Sequence, residues 1–264
     1  MKFSALIIII VLVSLAFAAC QKEKSREGGR PLSRGQLVRI QQGTDPDLSN
    51  DTVHLITYDQ SGRITALIDS SNLDTLVPAY DDSGRIASIL ERSPFPSGSS
   101  AHFTYDDSNR LTGINYYMAG SNESFYFEYT NGVVSKKSYY SDLGSGGSAT
   151  LQSTFLYNVS GGNITDILEF KPGGVPVGEW KATYSGQANP FRTLSLFNYG
   201  NILGMGSFLF GETWFNKNML STLNINGSVT ATNVYSFNAL QAPIKLIADD
   251  PINNGLFTWI FSYN

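Results

Sequence analysis

Residues able to do acid–base or metal chemistry are few and scattered along the 264 positions of this chain. Two histidines, His54 and His102, sit at matching places in similar phrases of sequence, where alternation marks each as a half-buried or rim strand residue. Three carboxylate doublets, Asp81-Asp82, Asp106-Asp107 and Asp249-Asp250, invite a glycosidase reading. Sugar hydrolysis needs only two acids about 5 to 10 Å apart. The first two doublets fall in turn sequences, where aspartate bonds nearby backbone amides, and adjacent strand residues face opposite ways in any case. Glu123, Glu128, Glu169, Glu179 and Glu212 are spread widely, and only the mouth of a barrel could bring two together. Asp45, Asp47, Ser49 and Asp51 place oxygen side chains at alternate positions, a spacing that suits calcium. That stretch lacks the central glycine and distal glutamate of a calcium loop, and an ordinary turn accounts for it. No Gly-x-Ser-x-Gly elbow, phosphate-binding glycine loop or His-Glu-x-x-His motif occurs. The expectation is no catalytic residue, no metal and no cofactor.

The single cysteine has a different role. Residues 1–19 carry Lys2, an apolar run from Ala5 to Val13, and small residues just before Cys20. This is an export signal, too short and too sparsely flanked for a stable membrane span. Phe17-Ala18-Ala19-Cys20 resembles the lipobox of bacterial lipoproteins, with Phe17 where leucine is usual. The resemblance implies that Cys20 is lipidated and becomes the first mature residue, and Gln21 in the next position implies the outer membrane. Segment 20–39 reads as the lipidated cysteine and a flexible tether, with six basic and two acidic side chains between Gln21 and Arg39. Residues 40–264 form one domain with an acidic excess, so the tether is drawn to anionic headgroups and the body is repelled. Asp51-Thr52-Val53 and Asp74-Thr75-Leu76 resemble the O-glycosylation acceptor of exported Bacteroidetes proteins, which marks Thr52 and Thr75 as candidate acceptors.

What would position all these residues is a repeat. The phrases HLITYDQSGRITALID (54–69), LVPAYDDSGRIASILE (76–91) and AHFTYDDSNRLTGINY (101–116) share one plan, and degenerate copies continue at 125–140, 153–170, 180–197, 211–225 and 233–248. From Tyr58 to Tyr263 this gives eight steps of about 26 residues. Each copy is a β-hairpin. His54, Ile56 and Tyr58 point one way and Val53, Leu55 and Thr57 the other, then four turn residues follow, then a return strand alternates again. Asp59, Asp81 and Asp106 cap the turns, while Gly62, Gly84 and Asn109 take the left-handed position before Arg63, Arg85 and Arg110. Tyr-Asp-x-x-Gly-Arg-Ile at Tyr58–Ile64 and Tyr80–Ile86, and its variant at Tyr105–Leu111, resembles the YD repeat of Rhs-type proteins. With the lipobox, it also resembles cell-envelope lipoprotein families of Bacteroidetes whose function is unknown. The likeness implies a β-sheet shell in which Tyr, Asp, Gly and Arg are scaffold, and it transfers no catalytic residue.

Composition supports that architecture. Charged residues are only 15% of the chain, while 31 Ser, 20 Asn and 25 Gly supply turn-forming polarity and 33 aromatics supply a core. A net charge of −4 argues against nucleic acid as a partner. Lysines, arginines and glutamates such as Arg63, Lys136, Lys137, Glu169 and Lys181 interrupt any lipid-facing surface, which argues against a membrane-spanning barrel. The expected fold is all-β, an antiparallel meander of about 16 to 18 short strands curled into a soluble barrel or strongly coiled sheet. The function it implies is a non-catalytic binding or structural module held at the outer membrane. Its partners are then the membrane, through the anchor, and a glycan or envelope protein; the alternative is a carboxylate-dependent enzyme acting on glycans. Paired aromatics such as Tyr116-Tyr117 and Tyr139-Tyr140 put one ring on each face, so some rings are open to a sugar or a protein.

Overall fold

The computed structural model describes residues 36–44, 52–70, 74–92, 98–118, 120–142, 148–197, 211–250 and 255–264. Cys20, the leader, most of the tether and the calcium-spaced Asp45, Asp47, Ser49 and Asp51 lie outside these residues. Sixteen strands follow one another: β1 (Leu37–Thr44), β2 (Thr52–Tyr58), β3 (Ile64–Asp69), β4 (Thr75–Tyr80), β5 (Ile86–Arg92), β6 (Ser100–Tyr105), β7 (Leu111–Met118), β8 (Ser121–Thr130), β9 (Val133–Ser141), β10 (Thr150–Ser160), β11 (Asn163–Lys171), β12 (Val175–Ala188), β13 (Asn218–Ile225), β14 (Ser228–Phe237), β15 (Pro243–Asp250) and β16 (Gly255–Tyr263). Each pairs antiparallel with its sequence neighbours, and β1 pairs with β16 to close a barrel. The barrel wall starts at Leu37, inside the segment read as tether.

The expected alternation holds along the wall. Ile40, His54, Ile56, Leu67, Ile114, Phe127, Leu246 and Trp259 are buried, whereas Leu55, Thr57, Thr65, Tyr117, Tyr126, Glu128 and Val234 face out. The outer face mixes Thr, Ser, Asn, Glu and Lys with isolated aliphatics, and the inner face holds the apolar core. A lipid-embedded barrel has the opposite polarity, an apolar exterior around a polar lumen. Charges therefore sit where they are hydrated, except for a few inward-pointing ones that include Lys137, which sequence reasoning had counted among the surface charges.

The Tyr-Asp turns explain their own residue choice. At Tyr58, Tyr80, Tyr105 and Tyr129 the register slips by one, a bulge that re-aims the ring. Asp81 Oδ1 accepts hydrogen bonds from the amides of Ser83 and Arg85, and Oδ2 accepts from Arg85 Nε at 2.7 Å. Asp59 and Asp106 repeat this with Ser61 and Arg63, and with Ser108 and Arg110. The amide bonds and the guanidinium hold all three carboxyls below the ordinary aspartate range, although burial works against ionisation. Gly62, Gly84 and Asn109 have φ of 79°, 77° and 61°, the left-handed conformation the turn demands. Each arginine then lies over the tyrosine of the next hairpin, Arg63 over Tyr80, Arg85 over Tyr105 and Arg110 over Tyr129, at 4.5–5.1 Å.

Each tyrosine in turn binds the preceding hairpin. The hydroxyls of Tyr58, Tyr80, Tyr105, Tyr129, Tyr184, Tyr235 and Tyr263 donate to the carbonyls of Leu37, Ile64, Ile86, Leu111, Ile164, Leu220 and Pro243 at 2.5–3.0 Å. These latches circle one end of the barrel, the end where Gln36 and Asn264 also bond to each other.

Two sequence copies are corrected by the structure. Segments 180–197 and 211–225 are one hairpin, β12 and β13, interrupted by residues 189–217, so seven steps rather than eight separate Tyr58 from Tyr263. The interruption carries the only helix among the described residues, α1 (Arg192–Ser195), and a 3₁₀ turn at Gly211–Phe215. It is apolar for a reason: Phe191, Leu194, Leu196, Phe197 and Trp214 are each 6% exposed or less, and Phe191 packs on Phe261 at 4.8 Å between ring centres. Its described parts, 189–197 and 211–217, pack inside the barrel as a plug. A round barrel of sixteen strands encloses a wide channel unless something fills it. Arg192 ties the two halves of the plug, its Nε donating to the Trp214 carbonyl at 2.8 Å.

Candidate functional site

Between the plug and the wall formed by β9 to β13 lies a cavity of about 230 Å³. Phe155, Ile164, Ile167, Trp180, Leu220 and Leu223 make it largely apolar, with Trp180 tilted against Phe155 at 5.8 Å. Its polar members are Lys137, Glu212, Tyr184 and Asn216, and the Asn216 Oδ1 accepts from the Ile164 amide at 2.7 Å. Lys137 comes from β9, at an inward position of the alternation, and its ammonium sits 4.2 Å from the centre of the Phe155 ring and 5.9 Å from that of Phe125. Glu212 comes from the 3₁₀ turn of the plug and forms an ion pair with Lys137. The Tyr157 hydroxyl donates to the same Glu212 oxygen at 3.1 Å. Burial opposes the charge on Glu212, but Lys137 and the hydrogen bonds outweigh it and hold the carboxyl below its ordinary value. Tyr184, at the cavity edge, is driven up by burial and further by the Glu212 charge.

The latch pattern changes at the fifth hairpin, where Tyr157 lies. The bulge of this hairpin falls at Val159, which pairs with Ile164 just as Tyr129 pairs with Val134. Val159 thus occupies the latch position and has no hydroxyl to give. Tyr157, two residues earlier on the same inward face, turns to Glu212 instead. In the seventh hairpin Phe237 similarly replaces the latch tyrosine, yet Tyr235 still reaches a backbone carbonyl. In the fifth hairpin the inward tyrosine hydroxyl thus reaches a carboxylate of the plug.

Two solved structures share this architecture. A porin-like protein from Bacteroides uniformis aligns with a TM-score of 0.56 at 15% identity, over 89% of this chain and 99% of its own. A porin-like protein from Bacteroides vulgatus aligns with a TM-score of 0.53 at 10% identity, over 87% of this chain and 99% of its own. The shared property is the fold. No protein-family model and no curated protein matches the chain.

The residues singled out in the sequence fall elsewhere. Tyr58, Asp59, Gly62, Arg63 and their counterparts at 80–85 and 105–110 build turns away from the cavity. His102 lies on the outer face with its ring edge-on to Tyr117 at 5.7 Å. His54 is the exception to expectation: it is fully buried rather than half-buried, opposite Asp69 on β3, and neither ring nitrogen has a hydrogen-bond partner. The structure does not bring His54 and His102 together. Thr52 and Thr75 open β2 and β4 and are half-buried. Asp81-Asp82 and Asp106-Asp107 serve turn geometry. Among the described residues the cavity lining has one carboxylate, Glu212, where glycoside hydrolysis needs two. Glu212 enters the sequence reading only as one of five scattered glutamates and Lys137 only as a charge against a lipid-facing wall, and nothing in the sequence pairs them. The available signals were the parity that points Lys137 inward and the position of Glu212 inside a segment that breaks the repeat period.

Proposed function

We propose that this chain is a lipid-anchored protein of the bacterial outer membrane whose barrel is a non-catalytic binding module for a small, largely apolar molecule. The observation that carries the reading is a plugged lumen that still keeps a cavity of about 230 Å³, largely apolar, with polarity confined to the Lys137–Glu212 ion pair, Tyr184 and Asn216. An apolar cavity of roughly 150 Å³ accepts benzene and stays dry when empty, so this one has room for a single ring with a short chain. A few polar groups in an otherwise apolar pocket fix a ligand's orientation. The anchor and the outer-membrane location rest on the lipobox-like run ending at Cys20 and on Gln21 after it. O-glycosylation at Thr52 or Thr75 would accompany export, and intact mass of natively expressed protein tests it.

The test of binding is thermal melting of the full chain with indole and with toluene. The expected result is a rise in melting temperature that Ala182→Phe, which fills the cavity, removes. Equal melting with and without both compounds refutes the reading. The anchor is tested separately: metabolic labelling with an alkyne fatty acid tags the wild type and not Cys20→Ala, and an unlabelled wild type refutes lipidation.

A further inference from the structure

The chemistry at the polar end of the cavity is more specific than its size. Lys137 and Glu212 side chains retain 10% and 18% exposure. An ammonium so enclosed by rings requires an anion, because an unpaired buried charge costs far more than any cation–π contact returns. The anion it has does not come from the barrel wall. Glu212 belongs to the plug, 75 residues away in sequence, and reaches Lys137 from across the cavity edge. Tyr157, released from latching, supplies a second donor to the same carboxylate. Lys137 and Tyr157 together form a two-donor cradle for one carboxylate, and Phe155 and Trp180 offer flat walls beyond it.

We infer, building on the ligand-binding reading above, that the cavity selects a monocarboxylate with a compact apolar body, and that Glu212 holds the ligand's place until it arrives. The ligand's carboxylate takes over Lys137 and Tyr157, while its ring or chain lies between Phe155, Trp180 and Leu223. Glu212 is the more exposed member of the pair and turns toward water as it leaves. A lone lysine beside a tyrosine suits a small monoanion, whereas phosphate recognition favours an arginine fork or a run of amides. The Glu212 carboxylate is then an intramolecular competitor, and its removal strengthens binding.

The experiment is isothermal titration of the full chain in lipid nanodiscs with hydrocinnamate, its neutral amide hydrocinnamide, and phenylpropylamine. Hydrocinnamate is expected to bind about ten-fold more tightly than the amide, the margin of a charged over a neutral hydrogen bond. Glu212→Gln should tighten hydrocinnamate by a further factor of about ten and leave the amide unchanged. Lys137→Gln should abolish the preference. If Glu212→Gln does not fold, the carboxylate-to-amide ratio in the wild type and its loss in Lys137→Gln decide the matter. Amide or amine binding as tightly as the acid overturns the inference while leaving the binding module standing. A Glu212→Gln protein that folds and shows an unchanged ratio also overturns it. No heat with any of the three compounds overturns both readings.

Discussion

Removing one latch hydroxyl tests the logic of the repeat. In Tyr105→Phe the ring stays, and with it the stacking of Arg85 at 4.5 Å, but the 2.9 Å bond to the Ile86 carbonyl is lost. A hydrogen bond of this kind contributes about 1 kcal/mol net, and leaving a half-buried carbonyl short of a partner adds to the loss, so the cost should be about 1–2 kcal/mol. For a domain of this size each kcal/mol lowers the melting temperature by about 2–4 °C, so the expected drop is about 2–8 °C. Tyr117→Phe is the control, because Tyr117 is on the outer face at 43% exposure and should shift stability by less than about 0.5 kcal/mol. The measurement is urea denaturation followed by tryptophan fluorescence, with a thermal scan alongside. If Tyr105→Phe and Tyr117→Phe behave alike, the ring of latches is decorative and the reasoning fails.

The same tyrosines predict alkaline behaviour: burial pushes Tyr58 and Tyr80 up to about 12, so their stabilisation is complete below the unfolded value near 10 and fades as pH rises toward 12. Tyrosinate absorbance should therefore appear together with loss of circular dichroism, and smooth ionisation of a folded protein would contradict this. His54 is held below its ordinary value by burial, against the pull of Asp69, so the unfolded chain binds the proton first and stability falls as pH drops below about 6.5. His54→Leu should flatten that slope in melts across mildly acid buffers, and an unaltered slope would place its origin elsewhere. At Gly84, where φ is 77° and nothing lies within 4 Å of an added Cβ, Ala should cost about 1 kcal/mol by backbone strain alone. Asn there should cost much less, as Asn109 shows in the third copy; equal losses for both would point to a cause other than φ.

The outline of the barrel was legible because three copies of one turn carry their physics in local sequence. Asp81 and Arg85 are four residues apart, and Gly84 takes a backbone angle that sequence chemistry alone suggests. The plug was not legible, because Trp214 and Phe215 mimic the aromatic that precedes a turn and so pass for another copy. What distinguishes them is burial against the far wall, a property of the closed barrel and not of the local chain. The cavity pair was hidden for the same reason. Lys137 and Glu212 meet only after β9 and the plug are brought together, and no spacing rule links two residues so far apart. His54 differs again: its alternation was read correctly, but only closure against β1 and β3 takes its imidazole fully out of water.

The seam between β1 and β16 sets the order in which this chain can be finished. Apart from β12 and β13, which the plug separates, every other strand pairs with a neighbour a short distance along the chain, so hairpins can form as the polypeptide emerges. The closing pairing joins Leu37 to Tyr263 and waits for β16. Until then β1 and β15 are open edges, and open edges recruit other strands. A chain lacking the nine residues of β16 would keep most of its hairpins yet leave β1 and β15 as two unpaired margins, so this one strand separates a closed barrel from an open, adhesive sheet.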